Sequence, residues 1–389
     1  MLSDVDAARN ALAMAQQAHI PVHTLSVGDL EREAILACFD DGQLSGNSPI
    51  VGRFEAAFAA HLGVEHAIAV SSGTAALQVV MAALDLQPGD EVVVPSFSFA
   101  PCADMVVRAG GVPVFADCEA ETFNAGPAEV EAVLTPATRA VLAVHMYGHP
   151  CDLEGLQALC DERALVLIED SAQGLGASVG DKAVGGFGAW ACFSFYANKL
   201  LTTGEGGMVV TSDASRAARI RSLRNHGIAK GPAYWHTECG YNVRMPALCA
   251  ALGLAQLDRI EGFLALRAQQ ARVYRDRLAE VRGLQLARTR PWCSRHAHWA
   301  HTVVVDERQF GVDGSGLARH LSDRAIGTRG FYTPLHLHPA YRTTDRPLPV
   351  SERLAPGGLV LPSGNGLELV DVERVCRAIV AIGSDATGV

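Results

Sequence analysis

The sequence predicts an α/β protein in which a mostly parallel, seven-stranded sheet lies between helices and is followed by a smaller α+β segment. Three observations predict it. Seven short apolar, β-rich runs recur between His66 and Thr211, separated by helical stretches; this rhythm builds a sheet covered on both faces. With 389 residues, 49% hydrophobic and 19% charged, the chain can bury more than one core. The alternation then changes near Arg244-Met245-Pro246.

Residues 1–25 form an alanine-rich, partly helical arm or extension. A helix over Arg53 to Leu62 leads to a strand over His66 to Val70, and Ser71-Ser72-Gly73-Thr74 opens a helix running from Ala75 to Leu86. A strand over Glu91 to Val94 ends at Pro95, a helix starts at Pro101, and a strand covers Val112 to Phe115. Further strands are expected at Ala140 to Val144, Ala164 to Ile168, Ala191 to Phe195 and Met208 to Thr211. One long helix, about Ala247 to Val281, then enters the smaller segment, which closes on a helix from about Glu368 to Ile382. The expected division is a large domain over 26–255 and a small one over 256–389.

The net charge of −10 and the absence of a basic stripe exclude a nucleic-acid binder. No apolar run has the length to cross a bilayer, and the opening Met-Leu-Ser-Asp-Val-Asp is acidic where an export signal would be basic. A cytoplasmic enzyme is expected. The ten cysteines are scattered with no C-x-x-C pair, so they read as reduced thiols. Gly148 and Pro150 break the helix that would align His145 with His149; His296, His298 and His301 lie in a strand-like run that splits them between two faces. No metal site is expected.

Lys199 carries the chemistry. It follows the apolar run ending in Phe193-Ser194-Phe195 and precedes Gly204-Glu205-Gly206-Gly207, flanks that count against an ordinary surface lysine. Asp170 closes another buried strand beside Glu169; a cap or an ion pair would account for it, and so would a carboxylate kept ionised against a pyridinium. A lysine and an aspartate delivered by two strand ends are what pyridoxal phosphate chemistry requires, the one as Schiff-base amine and the other as partner of the ring nitrogen. Ser72-Gly73-Thr74-Ala75 stands where a strand hands over to a helix, so it reads as a phosphate cradle or as a plain N-cap at Thr74. Ser194 could reach the same phosphate. Phe99, after Pro95-Ser96-Phe97-Ser98, reads as a stacking ring or a core phenylalanine. Gly174-Leu175-Gly176 with Gly180 has the wrong spacing for a dinucleotide fingerprint, and neither a G-x-x-x-x-G-K-[S/T] loop nor a G-x-S-x-G elbow is present.

In this order, these segments resemble the DegT/DnrJ/EryC1/StrS sugar aminotransferases, of the aspartate aminotransferase-like fold type I, from about residue 26 onward. Val144-His145-Met146-Tyr147-Gly148, Glu169-Asp170-Ser171-Ala172-Gln173, Gly240-Tyr241-Asn242-Val243-Arg244-Met245 and Pro334-Leu335-His336-Leu337-His338-Pro339 extend the match. The resemblance implies pyridoxal 5'-phosphate as cofactor, with pyridoxamine phosphate as its amino-carrying form. It makes Lys199 the Schiff-base lysine and proton carrier and Asp170 the partner of the pyridine nitrogen. Gln173 lies near the ring hydroxyl, Phe99 against the ring face, and Gly73, Thr74 and Ser194 at the phosphate. Asn242 is implied to reach the phosphate from the neighbouring subunit, which makes a homodimer the smallest active unit.

Lysine rather than histidine at 199 implies ping-pong transamination instead of dehydration. Asn225-His226-Gly227, Tyr234-Trp235-His236 and Thr328-Arg329-Gly330-Phe331-Tyr332 are most similar to the GDP-perosamine synthase branch, with Pro246 and Ser171 as departures. The implied reaction moves an amino group from glutamate to C4 of GDP-4-keto-6-deoxymannose, with Tyr332, His336 and His338 as candidate sugar contacts. A cyclitol ketone, or a 3-keto, dTDP- or UDP-linked sugar, is the alternative acceptor, and a non-catalytic regulatory protein the alternative class.

Overall fold

The computed structural model describes residues 19–228, 235–341 and 346–387. Most of the expected N-terminal arm, and Tyr234 of the substrate motif, lie outside the described residues. The end of that arm is strapped to the C-terminal half: Ile20 bridges Ile326, and His23–Thr24 pairs in parallel with Ser363–Gly364.

The large sheet is built from β1 (His66–Val70), β2 (Glu91–Pro95), β3 (Val112–Ala116), β4 (Thr138–Val144), β5 (Val166–Asp170), β6 (Trp190–Ser194) and β7 (Gly207–Thr211), in the spatial order β1-β7-β6-β5-β4-β2-β3. β7 runs antiparallel to both its neighbours, and the other pairings are parallel. Alternation along each strand feeds two cores: Val93 and Val141 pack on one face, Val92, Val94 and Leu142 on the other. Register places Asp170 opposite Val144 and Cys192, so the ends of β4, β5 and β6 line up along one edge. The crevice beyond the carboxyl ends of such strands is where α/β sheets bind ligands.

Three expectations need correction. The long helix is two, Ala247–Leu257 and Ile260–Leu278. Arg259 breaks it at ψ −1°, and its guanidinium bonds to Glu31 (2.5 Å) and Ser26 (2.7 Å), while Gln256 donates to Glu31 at 2.6 Å. Those partners sit on or just before a helix, Asp29–Asp40, that the sequence reading left unassigned. The helix expected from Arg53 starts earlier, at Pro49, capped by Ser48. The histidine run is not a strand before His301: His298 is left-handed (φ 48°), and its ring stacks on His296 with centroids 4.0 Å apart.

A second sheet in the order Leu284–Leu286, His301–Val305, Gly358–Leu361, Arg329–Gly330 is antiparallel throughout. It packs with the Ile260–Leu278 and Leu369–Thr387 helices around Val303, Leu359, Leu361, Val375 and Ile379.

Candidate active site

A cavity of about 360 Å³ opens at the carboxyl edge of β4 to β6 and has Lys199, Asp170, Gly73, Thr74, Phe99, Gln173, Ser194 and Tyr332 on its walls. The Lys199 turn is closed on itself by Phe195 N–H to Gly206 O (2.9 Å), Thr203 N–H to Phe195 O (2.9 Å) and Lys199 N–H to Tyr196 O (2.8 Å), with Gly204 at φ 77°. This closure holds the amine 4.3 Å over the Trp299 ring. Burial, abetted by the nearby Arg329 charge, pulls the Lys199 ammonium down to about 8, against the opposing pull of Asp170. The unfolded chain therefore holds this proton up to its ordinary value, and the folded chain releases it near 8. The stability penalty is full below pH 8 and is relieved as pH rises toward 10.5. In cofactor-free protein, the labelling rate of Lys199 by trinitrobenzenesulfonate, read by peptide mass spectrometry, should rise with a midpoint near pH 8; a midpoint above 10 would contradict the burial.

Glu169 and Asp170 are separated by the pleat. Glu169 turns into the core and accepts from the N–H groups of Gly185 (2.8 Å), Phe187 (2.9 Å) and Gly188 (2.9 Å), with His145 Nε2 at 3.3 Å. Burial would raise its pKa, but His145 and these N–H donors hold it below the usual range. Asp170 turns to the cavity, accepting from the Ala172 N–H at 3.0 Å and from the Cys102 thiol at 3.2 Å. The same burial, with Asp170 alongside, pushes the Cys102 thiol well up, so it stays a donor. Glu169 is thus a structural carboxylate, and Asp170 is the one offered to a ligand.

At the other end, Ser72 caps the Gly73–Ala83 helix by accepting from Ala75 N–H at 3.0 Å, so the cap is not Thr74. The first amides of that helix have no partner within it. Gly73 lies so close to β6 that a methyl group on it would stand 2.6 Å from Ser194 Cβ. A cradle of this size with a helix N-terminus behind it suits a phosphate. Phe97 is the core phenylalanine, wholly buried, whereas Phe99 is 57% exposed and its ring lies 5.8 Å from Tyr332. Gln173 accepts the Tyr147 N–H at 2.7 Å.

Two expected sugar contacts are not on the cavity. His336 is buried in a relay: Ser96 Oγ lies 2.6 Å from His336 Nδ1, and His336 Nε2 lies 3.1 Å from Glu352. The reason is the unmet hydroxyl of wholly buried Ser96, which the imidazole satisfies while Leu335 N–H bonds to Ser96 O at 2.8 Å. His338 faces Thr333 O at 3.3 Å and the Tyr341 ring. Asn242 is an exposed residue bridged to Asn225 and does not line this chain's own cavity. Conversely Trp299, Arg329, Cys102 and Glu205 line the cavity without having been singled out. Arg329 stood inside a quoted motif; Trp299 had no local signal. A larger crevice of about 930 Å³, with His149, His296, His298 and His301 on its walls, has no lysine. Among the described residues no group of three or more His, Cys, Asp or Glu is arranged to hold a metal ion, and no helix is long and apolar enough to cross a membrane.

A desolvated lysine, a buried aspartate and a glycine-lined helix N-terminus at the edge of a doubly covered sheet form a site that fits a small phosphorylated ring beside a reactive amine. The chain belongs to the DegT/DnrJ/EryC1/StrS aminotransferase family, whose model matches residues 26–380, and it is a pyridoxal-phosphate-dependent transaminase. It is 38% identical to the GDP-perosamine synthase of Vibrio cholerae over 92% of this chain and 98% of that one. With the GDP-perosamine synthase of Caulobacter vibrioides the identity is 37%, over 90% and 94%. The crystal structure of the aminotransferase TlmJ from Streptoalloteichus hindustanus superposes with a TM-score of 0.89 at 34% identity, covering 95% of this chain and all of that one.

Proposed function

We propose that the cavity holds pyridoxal 5'-phosphate and transfers an amino group from L-glutamate to the 4-keto group of GDP-4-keto-6-deoxy-D-mannose, giving GDP-perosamine. The observation that carries this reading is the Lys199–Asp170 cavity in a chain alike over nearly its whole length to two proteins named GDP-perosamine synthase.

The residues present fit the cofactor. Gly73, Thr74 and Ser194 would hold its phosphate, Asp170 its ring nitrogen, Gln173 its ring hydroxyl and Phe99 its ring face, with Lys199 as the amine it links to. Bound there, the cofactor supplies an electron-withdrawing ring that stabilises negative charge at the substrate carbon. Asp170, which accepts from the Ala172 N–H and the Cys102 thiol, would face the ring nitrogen as its carboxylate partner. Lys199 Nζ, its pKa lowered to about 8, takes a proton from the donor's α-carbon and delivers one to the acceptor carbon. Trp299 and Tyr332 wall the cavity and restrict water around the amine. Asn242 of the partner subunit completes the phosphate site in a cytoplasmic homodimer, and each chain divides into domains near residue 255.

The test is a half-reaction. The enzyme in its amino-carrying form is mixed with GDP-4-keto-6-deoxymannose, dTDP- and UDP-linked 4-keto and 3-keto sugars, and a cyclitol ketone. Return of the aldehyde-form absorbance should be fastest with the GDP sugar. Faster return with the cyclitol or a dTDP sugar would overturn the substrate assignment.

A further inference from the structure

Among the described residues, each oxygen of the Asp170 carboxylate has one donor. Oδ1 accepts from the Ala172 N–H at 3.0 Å, and Oδ2 from the Cys102 thiol at 3.2 Å. The first bond is local, an aspartate turning onto the backbone two residues ahead. Alone it leaves the carboxylate free to swing about its last torsion, which has only broad minima. The second bond spans 68 positions and comes from another element, the Pro101–Arg108 helix. With both made, the plane of the carboxylate is fixed.

Cys102 is itself held firmly on the first turn of that helix. Pro101 starts the turn, the Cys102 N–H bonds to Phe99 O at 3.0 Å, and the side chain is 1% exposed. The turn that brings the Phe99 ring to the cavity thus also brings the thiol to Asp170. Burial, then the Asp170 charge, pushes the thiol well above its ordinary value, so it keeps its proton and serves as a donor. Cys192 stands opposite Asp170 on β6 and shares the wall, but it donates nothing to that carboxylate. No second thiol replaces the Cys102 bond.

We propose that Cys102 is a positioning residue for amino transfer: its thiol fixes the plane in which Asp170 meets the cofactor's ring nitrogen. The inference rests on the transaminase reading above, in which Asp170 faces that nitrogen. A hydrogen bond weakens steeply as its angle opens. A carboxylate swung out of line therefore holds the ring proton less well, and the ring then draws less charge from the substrate carbon. Cys102 acts through Asp170 and takes no proton from the substrate.

Two measurements test it. In cofactor-free protein, the infrared S–H stretch of Cys102 is isolated by subtracting the spectrum of Cys102→Ala. That band should lie at lower frequency than an unbonded thiol's, and Asp170→Asn, which leaves a weaker neutral acceptor, should move it part of the way back. A band at the unbonded position, or one that Asp170→Asn does not move, overturns the contact.

In the cofactor-loaded enzyme, Cys102→Ala should slow the maximal rate of the glutamate half-reaction about tenfold, with the half-saturating glutamate concentration within about twofold. Cys102→Ser keeps a donor and should stay within about threefold of the wild-type rate. Cys102→Val fills the space without a donor; it should be as slow as the alanine variant and carries the comparison if that variant melts early. A serine variant as slow as the valine one, or an alanine variant at the wild-type rate, overturns the positioning role. Wild-type protein inert toward every amino acid, with the shifted S–H band present, would instead overturn the transaminase reading.

Discussion

Lys199→Ala is expected to abolish turnover. The side chain has two duties at one atom, linking to the cofactor and carrying the proton, and a positioned acid–base group alone contributes roughly 10²- to 10⁴-fold. A loss of about 10⁴-fold or more in kcat follows when both duties vanish together. The fold should survive, because the amine reaches a cavity rather than the core and its desolvation penalty disappears with it. Steady-state amino transfer, with the bound cofactor's absorbance and a thermal melt as controls, checks this. A variant with wild-type turnover would remove Lys199 from the chemistry.

Asp170→Asn should come next, lowering kcat by roughly 10³-fold. The substitution is nearly isosteric, so the side chain can remain beside the Ala172 N–H and the Cys102 thiol while its charge is gone. Two consequences add. The cofactor ring loses its ionic partner, and Lys199 loses the influence that holds its pKa up, so its ammonium titrates lower still. Asp170→Ala should be at least as damaging. If Asp170→Asn retained full kcat with an unchanged melting temperature, the carboxylate would be structural, as its neighbour Glu169 is.

Much of the sheet was legible because its seven strands are short apolar runs bounded by turn residues, and their ends carry Asp170, Ser194 and Lys199 along the chain. Local chemistry marks such residues. What it does not mark is where a distant side chain lands. Trp299 enters the cavity because His298 turns left-handed just before it, which no periodicity signals. Arg259 breaks a helix in the service of Glu31, more than two hundred residues upstream, with no glycine or proline to announce it. His336, a candidate sugar contact on a small-domain loop, is instead occupied by the hydroxyl of Ser96, 2.6 Å from its Nδ1 and far away in the chain. Tertiary demand overrode local pattern in each case.

The antiparallel strand β7 has a consequence for synthesis. In the large sheet, among the described residues, β1 pairs with β7 alone, and β7 also pairs with β6. The two halves of the phosphate cradle, Gly73 after β1 and Ser194 at the end of β6, are therefore brought into contact across the last strand of that sheet to be made. Gly207, in that strand, runs so close to Ser72 that a methyl group there would strike the Ser72 carbonyl. A nascent chain halted before Thr211 can hold Lys199 and Asp170 yet has no closed seat for a cofactor. The remaining walls, Trp299, Arg329 and Tyr332, come later still, so the seat closes only when both sheets are in place.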